Sequence, residues 1–271
     1  MTASWIGIDF SGDHRRWRPG CRRSNVWIAT LSGSIRPVVR QLHRVQALPG
    51  DAHPFERLAR FLATTDYEAA GIDAPFSLPA ACVEALGGHS ALLDRVARLH
   101  DDGRPFPKGT TLVRALVAHL GEAKPLRETE GLWSKRHGLN VRSTLWTRAR
   151  PGAPMTAACL TLLQAARKPI WPWTDRGPSL LVEAFPAAQL AHWNLIPRSY
   201  DGTRGALKRR ELVESLRSRV DFGDFTEAAV ESADALDSIV AAFAGIAATT
   251  GRLAEPATAS GALEGWIAVH I

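Results

Sequence analysis

Cysteine is scarce in this chain of 271 residues, and its scarcity argues against two classes of protein. Cys21, Cys82 and Cys159 are the only three, they lie far apart, and none belongs to a CxxC pair. An odd and widely spaced set argues against a disulfide framework and against a structural zinc site, and it suits a reducing compartment. We therefore expect a cytoplasmic protein.

Segments that direct a chain to a membrane are also missing. The first residues enter a predicted strand with no basic region ahead of an apolar run, so no signal peptide is expected. A long uncharged stretch between Asp237 and Arg252 is too short to span a bilayer and begins beside acidic residues. No membrane partner is expected.

The sequence lacks the motifs of two kinds of hydrolase. It holds no GxSxG nucleophile elbow, and its histidines show neither HxxH nor HExxH spacing. What it has in excess is positive charge, with 33 basic against 27 acidic residues and a net charge of +6. That balance favours a polyanionic partner such as nucleic acid.

The apolar pattern predicts one α/β domain over residues 1–271, interrupted at 79–178 by an insertion of helices and loops. Strands are predicted over 5–10, 25–31, 35–45, 69–73 and 179–185, with a short last strand over 265–269. Helices are predicted over 53–65, 91–100, 111–120, 156–166, 207–220 and 227–248. Early hairpins followed by crossovers predict a mixed sheet whose first and fourth strands run parallel.

The short motif GID occurs twice, and each copy ends a predicted strand in an aspartate. Asp9 and Asp73 each share a strand face with the glycine two residues earlier. On neighbouring strands their carboxylates would repel each other, and a divalent cation between them would relieve that repulsion. Oxygen ligands suit Mg²⁺ or Mn²⁺ rather than zinc. The alternative is that each aspartate caps the turn after its strand.

Further acids lie in the second half of the chain. Asp234 and Asp237 are spaced to share one side of a predicted helix, and Glu231 lies one turn earlier. These residues could equally form a solvated face or interact with the helix dipole. Glu183 interrupts an otherwise apolar strand, unless that strand ends at the surface.

In combination, the segments GIDFSG, GIDAPFSLP, VEAFPAA and ADALDSIVAA resemble the motifs of domain of unknown function 429. Members of that family are predicted to be ribonuclease H-like (RNase H-like) nucleases, and the resemblance runs from Trp5 to about Gly245. It implies an RNase H-like mixed five-stranded sheet flanked by helices. A weaker similarity is carried by RETE, from Arg127 to Glu130. The acids that match the family's motifs are Asp9, Asp73, Glu183, Asp234 and Asp237.

The resemblance implies metal-dependent hydrolysis of phosphodiester bonds. We expect two Mg²⁺ or Mn²⁺ ions held by Asp9, Asp73 and Asp237, with Glu183 or Asp234 completing the set. In this hypothesis Asp9, Asp73, Glu183 and Asp237 are the catalytic acids. Two rivals are a nucleic-acid-binding protein that keeps the fold without catalysis, and a phosphotransferase related to actin-like ATPases and sugar kinases.

Two basic segments are candidate contacts for DNA or RNA. The first joins the first two strands and surrounds an aromatic side chain with arginines; its candidate residues are Arg15, Arg16, Trp17, Arg18, Arg22 and Arg23. Arginines can bind phosphates while a tryptophan stacks on a base. The second, in the insertion, contains Lys135 and Arg136. A solvated hairpin and a loop scaffold are the respective alternatives, and a homodimer is possible.

Overall fold

A five-stranded mixed sheet lies at the centre of the computed structural model, which describes residues 3–117, 124–148, 152–174 and 177–271. The spatial order is β3-β2-β1-β4-β5. Strand β2 is antiparallel to both β1 and β3, whereas β4 runs parallel to β1 and β5 runs parallel to β4. The predicted α/β fold class is confirmed. The strands are β1 (Ser4–Asp9), β2 (Trp27–Ser32), β3 (Val38–Arg44), β4 (Ala69–Asp73) and β5 (Leu180–Glu183).

Helices cover both faces of this sheet, and five of them lie between β4 and β5 in the chain. Those five, α2 to α6, fall within the predicted insertion. The helices are α1 (Pro54–Thr64), α2 (Ala80–Leu86), α3 (His89–Val96), α4 (Gly109–Val117), α5 (Glu128–His137), α6 (Gly152–Ala166), α7 (Pro186–His192), α8 (Ala206–Leu216), α9 (Thr226–Glu231), α10 (Ala233–Thr250) and α11 (Gly261–Glu264).

The alternation of side chains along the strands divides the core between the two faces. Ile6, Ile8 and Ile72 belong to a cluster with the apolar residues of α1, α4 and α6. Trp5 and Val182 belong to a second cluster, formed with α8 and α10 on the other face. Because successive side chains point to opposite faces, residues 7, 9, 71 and 73 all lie on the α10 side.

Helix α10 touches the sheet backbone directly, and two glycines allow this approach. A Cβ atom at Gly7 would lie 1.9 Å from the carbonyl oxygen of Ser238, and one at Gly71 would lie 1.9 Å from that of Ala241. Real Cβ atoms essentially never come so close, so any larger residue would push the helix away. The two GID motifs therefore carry glycine because a helix packs there.

Helix α10 is the one helix in the described part of the chain that is long and apolar enough to cross a membrane. Its composition has another explanation, because 67% of that segment is buried inside the protein. It packs on β1, β4 and β2, at the centre of the α10-side core. We interpret it as a core helix.

Some predicted elements differ from the observed ones. The single helix expected over 227–248 is broken at Ser232, whose extended backbone (φ −127°, ψ 123°) ends α9 and whose hydroxyl accepts from the Ala235 N–H. Glu231 therefore does not extend the acidic stripe of α10. Residues 265–269 are buried but form no strand, although the Ala268 N–H donates a hydrogen bond of 3.1 Å to the Glu183 carbonyl at the end of β5. The end of the helix predicted over 111–120 lies outside the described residues.

Replacing Gly7 by alanine should reveal the contact between α10 and the sheet. The added methyl group would collide with backbone, which cannot rotate aside, so we expect Gly7→Ala to lower the free energy of unfolding by about 1–3 kcal/mol or more. Urea denaturation measures this value. Gly20→Ala is the matched control, because a Cβ there meets nothing within 4 Å. Equal stability of the two variants would contradict the proposed role of Gly7.

Candidate functional site

Asp9 and Asp73 are direct neighbours at the carboxyl ends of β1 and β4. They are paired in the parallel register, which sets their Cα atoms about 4.8 Å apart. Asp9 is only 7% exposed, whereas Asp73 is partly buried. The sequence predicted this adjacency, and it follows from two strands that end at the same edge of the sheet.

The first turn of α10 brings two more carboxylates to this edge. Ser232 caps the helix, so Asp234 lies in its first turn and Asp237 one turn further along. The Tyr200 hydroxyl donates a hydrogen bond of 2.7 Å to Asp237 Oδ1. Asp234, Asp237 and Tyr200 line a cavity of about 650 Å³, which we call the acidic cavity. No local sequence pattern marks Tyr200 as a partner of Asp237.

These aspartates raise one another's pKa values. Burial raises the pKa of Asp9 well above its ordinary range, and the charges of Asp237, Asp73 and Asp234 add to the shift. Burial and the charges of Asp237 and Glu183 raise that of Asp73. Burial also raises the pKa of Asp237 to about 7, although the bond from Tyr200 opposes the shift. Four acids therefore share one small region.

In the described part of the chain, no cation is paired with the central three acids. Among the described residues, no lysine, arginine or histidine forms an ion pair with Asp9, Asp73 or Asp237. The environment of Asp234 contains more positive charge. Burial raises its pKa, but the charge of Arg16, followed by those of Arg44 and Arg209, opposes that shift. Asp9, Asp73 and Asp237 therefore form a concentration of carboxyl groups that has no ion-pair partner among the described residues.

Glu183 occupies a different environment from the aspartates, contrary to the expectation that it joins them. It is paired in register with Ile72, whose side chain faces α6, so Glu183 points to the sheet face opposite Asp73. Its carboxylate accepts two hydrogen bonds from Arg127, one of them 2.7 Å from Nη1 to Oε2, and a third from the Phe76 N–H at 3.0 Å. Both oxygens are thus occupied, and Glu183 serves as the partner of a buried arginine.

Arg127 is the centre of a buried ionic network that sequence reasoning did not explain. Its guanidinium also binds Glu130, which accepts from the Arg127 backbone N–H at 2.9 Å as well. The carboxylate of Glu264 accepts from the backbone N–H groups of Ala80, at 2.9 Å, and of Glu128. The network ties the start of α5 to β5 and to α2. The RETE segment was therefore a signal of structural importance, with Arg127 and Glu130 as its key residues.

The acids have the donor chemistry of a Mg²⁺ or Mn²⁺ site without forming a completed one. Within the described ranges, no three acidic, histidine or cysteine side chains are already arranged to hold a metal ion. The available donors are carboxylate oxygens, which suit hard divalent cations. Mutual repulsion separates carboxylates that lack a counter-ion, and a bound cation would remove that repulsion. Asp9, Asp73, Asp237 and Asp234 are the residues that fit such an ion.

The first basic segment is confined by contacts that differ from those predicted. Trp17 is fully buried, donates a hydrogen bond of 2.8 Å to the Ser11 carbonyl and packs edge-on against Phe10 and Phe55. It belongs to the core and is not available to stack on a base. Arg15 is bound by both carboxylate oxygens of Asp13.

The other arginines of this segment range from half-buried to exposed. Arg18, Arg22 and Arg23 are exposed, and Arg16 lies close enough to Asp234 to oppose the rise in its pKa. In the second basic segment, Lys135 and Arg136 are exposed on α5. Arg136 forms an ion pair of 2.5 Å with Glu255 and lies over the ring of the buried Trp133, which leaves Lys135 as the freer charge.

Two further arginines border the acidic cavity. Arg142 and Arg198 line it together with Asn140 and Phe185, and both arginines are exposed. A smaller cavity of about 220 Å³, the middle cavity, lies between Asp73 and Arg127 and shares Asn140, Arg142 and Phe185 with the acidic cavity. Cationic side chains therefore flank the acids without neutralising them.

Comparison with known proteins identifies the family of this chain. Residues 7–260 match the profile of the family described as Protein of unknown function (DUF429). The match spans most of the 271 residues, so the chain belongs to this family, as its motifs predicted. No curated protein and no solved structure matches it. The family description names no activity, so a function has to be inferred from the side chains themselves.

The pKa of Asp237 predicts how the stability of the metal-free protein depends on pH. Between its ordinary value of 3.8 and the folded value of about 7, the folded state binds more protons than the unfolded state. The free energy of unfolding therefore falls as the pH rises through this window. In EDTA, the unfolding temperature of the wild type should drop between pH 5 and pH 8 by several degrees more than that of Asp237→Asn. Each kcal/mol of lost stability lowers this temperature by roughly 2–4 °C.

Differential scanning calorimetry of the two proteins at matched ionic strength measures this difference. Asparagine keeps the oxygen that accepts from Tyr200 and removes only the titration. Parallel curves for the two proteins would show that Asp237 does not titrate near neutrality.

Proposed function

We propose that this protein is a divalent-metal-dependent nuclease that hydrolyses phosphodiester bonds of DNA or RNA. The observation that carries the proposal is the meeting of Asp9, Asp73 and Asp237 at one edge of the sheet, with no ion-pair partner in the described part of the chain. Uncompensated buried carboxylates cost stability, and function is the usual reason for keeping such groups.

Asp9, Asp73, Asp237 and Asp234 are the residues that would hold the metal. When bound, Mg²⁺ or Mn²⁺ polarises the phosphodiester and lowers the pKa of a coordinated water. Glu183 is left out of this set, since Arg127 occupies both of its oxygens.

The protein's own contribution is to hold the acids in place. Asp9 and Asp73 extend from central strands, whose backbone is fixed by hydrogen bonds on both sides. Tyr200 fixes one oxygen of Asp237 and leaves the other free. With a pKa of about 7, Asp237 loses its proton near neutral pH and then adds a negative charge to the site.

The positive side chains near the acids provide the affinity for a polyanion. Arg142 and Arg198 border the acidic cavity, and Arg18, Arg22 and Arg23 are exposed on the loop that follows β1. Phosphate contacts of this type position a nucleic acid without reading its sequence. We also propose a cytoplasmic location, because all three cysteines are free thiols.

Removal of one carboxylate should abolish cleavage. We expect wild-type protein to cut a labelled oligonucleotide with Mg²⁺ or Mn²⁺ and not with EDTA, and Asp9→Asn to cut at least roughly 100-fold more slowly, because even outer-shell changes at metal sites cost up to that factor. The measurement is product formation on a denaturing gel, with protein that is folded by circular dichroism.

Asp224→Asn is the matched control, because Asp224 is an exposed aspartate outside the cluster. It should cut like the wild type. Cleavage by Asp9→Asn at the wild-type rate would overturn the assignment, and so would cleavage by the wild type that persists in EDTA.

A further inference from the structure

A third cavity, of about 650 Å³, lies beyond the end of β1 and is lined by basic side chains and by Asp13. We call it the basic cavity; four of its lining residues are His14, Arg15, Arg104 and Lys108. Two of these come from the loop after β1 and two from the insertion, before α4. None of the contacts described above assigns it a role.

Tight backbone packing fixes the walls of the basic cavity. A Cβ atom at Gly12 would lie 2.5 Å from the backbone nitrogen of Met155, and one at Gly109 would lie 2.5 Å from that of Pro154. The loop after β1 and the start of α4 therefore both rest on the first turn of α6. This anchoring holds their side chains around one space.

The charges of the basic cavity are only partly compensated. Arg15 is bound by Asp13, and the Lys108 Nζ is 3.9 Å from Asp101, beyond hydrogen-bond distance. Within the described residues, Arg104 forms no ion pair with a carboxylate; its Nη1 lies 3.0 Å from His14 Nδ1. An arginine can only donate, so Nδ1 accepts and the proton of the neutral imidazole lies on Nε2. The cavity thus offers donors and two incompletely paired cations.

The position of the basic cavity relates it to the acids. Gly12 follows Asp9 by three residues, and Met155 lines both the basic cavity and the middle cavity that contains Asp73. The middle cavity shares Arg142 with the acidic cavity. The three cavities therefore form a series along the carboxyl edge of the sheet, with Asp73, Asp234 and Asp237 in its lining and cations at both ends.

We infer that the basic cavity binds a second phosphate of the substrate, with Arg104, Lys108 and His14 Nε2 as its donors. This inference rests on the proposed nuclease function and specifies its substrate class. A mononucleotide has no phosphate to place there, so the substrate is a polynucleotide strand that follows the series of cavities. Arg104 and Lys108 bind the strand and take no part in the chemical step.

Strand binding without catalysis tests this site. The probe is a fluorescein-labelled single-stranded 12-mer, as DNA and as RNA in separate titrations, added to Asp9→Asn protein in EDTA and followed by fluorescence anisotropy. Adding Arg104→Gln and Lys108→Gln should weaken binding of at least one strand about tenfold. The slope of log affinity against log salt should become shallower by about 0.7, the value for one phosphate contact on a single strand.

The matched control removes the same charge elsewhere. Arg60→Gln with Arg210→Gln, on the exposed faces of α1 and α8 outside the three cavities, should change the affinity by less than about twofold. Equal losses in the two double variants, or no binding of either strand by the Asp9→Asn protein, would overturn the inference.

The outcome separates this site from the nuclease proposal. If the wild type cuts with Mn²⁺ while both double variants bind alike, the basic cavity is refuted and the nuclease stands. If the Arg104→Gln and Lys108→Gln double variant loses strand binding, the control double variant does not, and the wild type never cuts, then the binding site stands and the nuclease proposal fails.

Discussion

The contact between the α10 backbone and two glycines of the sheet determines the rest of this site. Gly7 and Gly71 present no side chain, so the carbonyl groups of Ser238 and Ala241 reach positions that a Cβ atom would occupy elsewhere. These two contacts set the position of α10 along the strands, and Ser232 caps its first turn. As a result its first turns lie at the carboxyl ends of β1 and β4, where Asp9 and Asp73 are side by side.

The contrast between two groups of buried acids separates structure from function. Glu183 and Glu130 are buried together with Arg127, whose guanidinium donates hydrogen bonds to both carboxylates. Such a network fixes the elements that it joins. Asp9 and Asp73 have no such partner among the described residues, and their pKa values rise because of burial and the charges of neighbouring carboxylates. Arg127 thus binds Glu183 and Glu130, whereas Asp9 and Asp73 remain available to a cation from solution.

Much of this arrangement could be predicted from the sequence, because it follows from local patterns. Alternation and turn signals gave the five strands, and two GID motifs at strand ends placed Asp9 and Asp73 at one edge. The orientation of Glu183 was not available in the sequence: because Glu183 is paired beside Ile72, it faces away from Asp73. That pairing register depends on the three-dimensional sheet, and so the misplacement of Glu183 became visible only in the structure.

Other features depended on long-range contacts that no local pattern carries. Trp17 lies in an arginine-rich loop, yet Phe10, Phe55 and Phe106 draw its ring into the core. Ser232 divides the predicted continuous helix in two, and its capping bond fixes where α10 begins over the glycines. The bond from Tyr200 to Asp237 and the approach of Arg104 to His14 join segments that are far apart in sequence. Packing alone decides which of these side chains meet.

A crystal of the protein soaked with Mn²⁺ tests the central claim most directly, through anomalous diffraction at the manganese edge. The account predicts a peak within coordination distance, about 2.0–2.3 Å, of carboxylate oxygens from Asp9, Asp73 and Asp237. An empty map at this edge of the sheet, in crystals soaked above pH 7 where Asp237 is ionised, would contradict it.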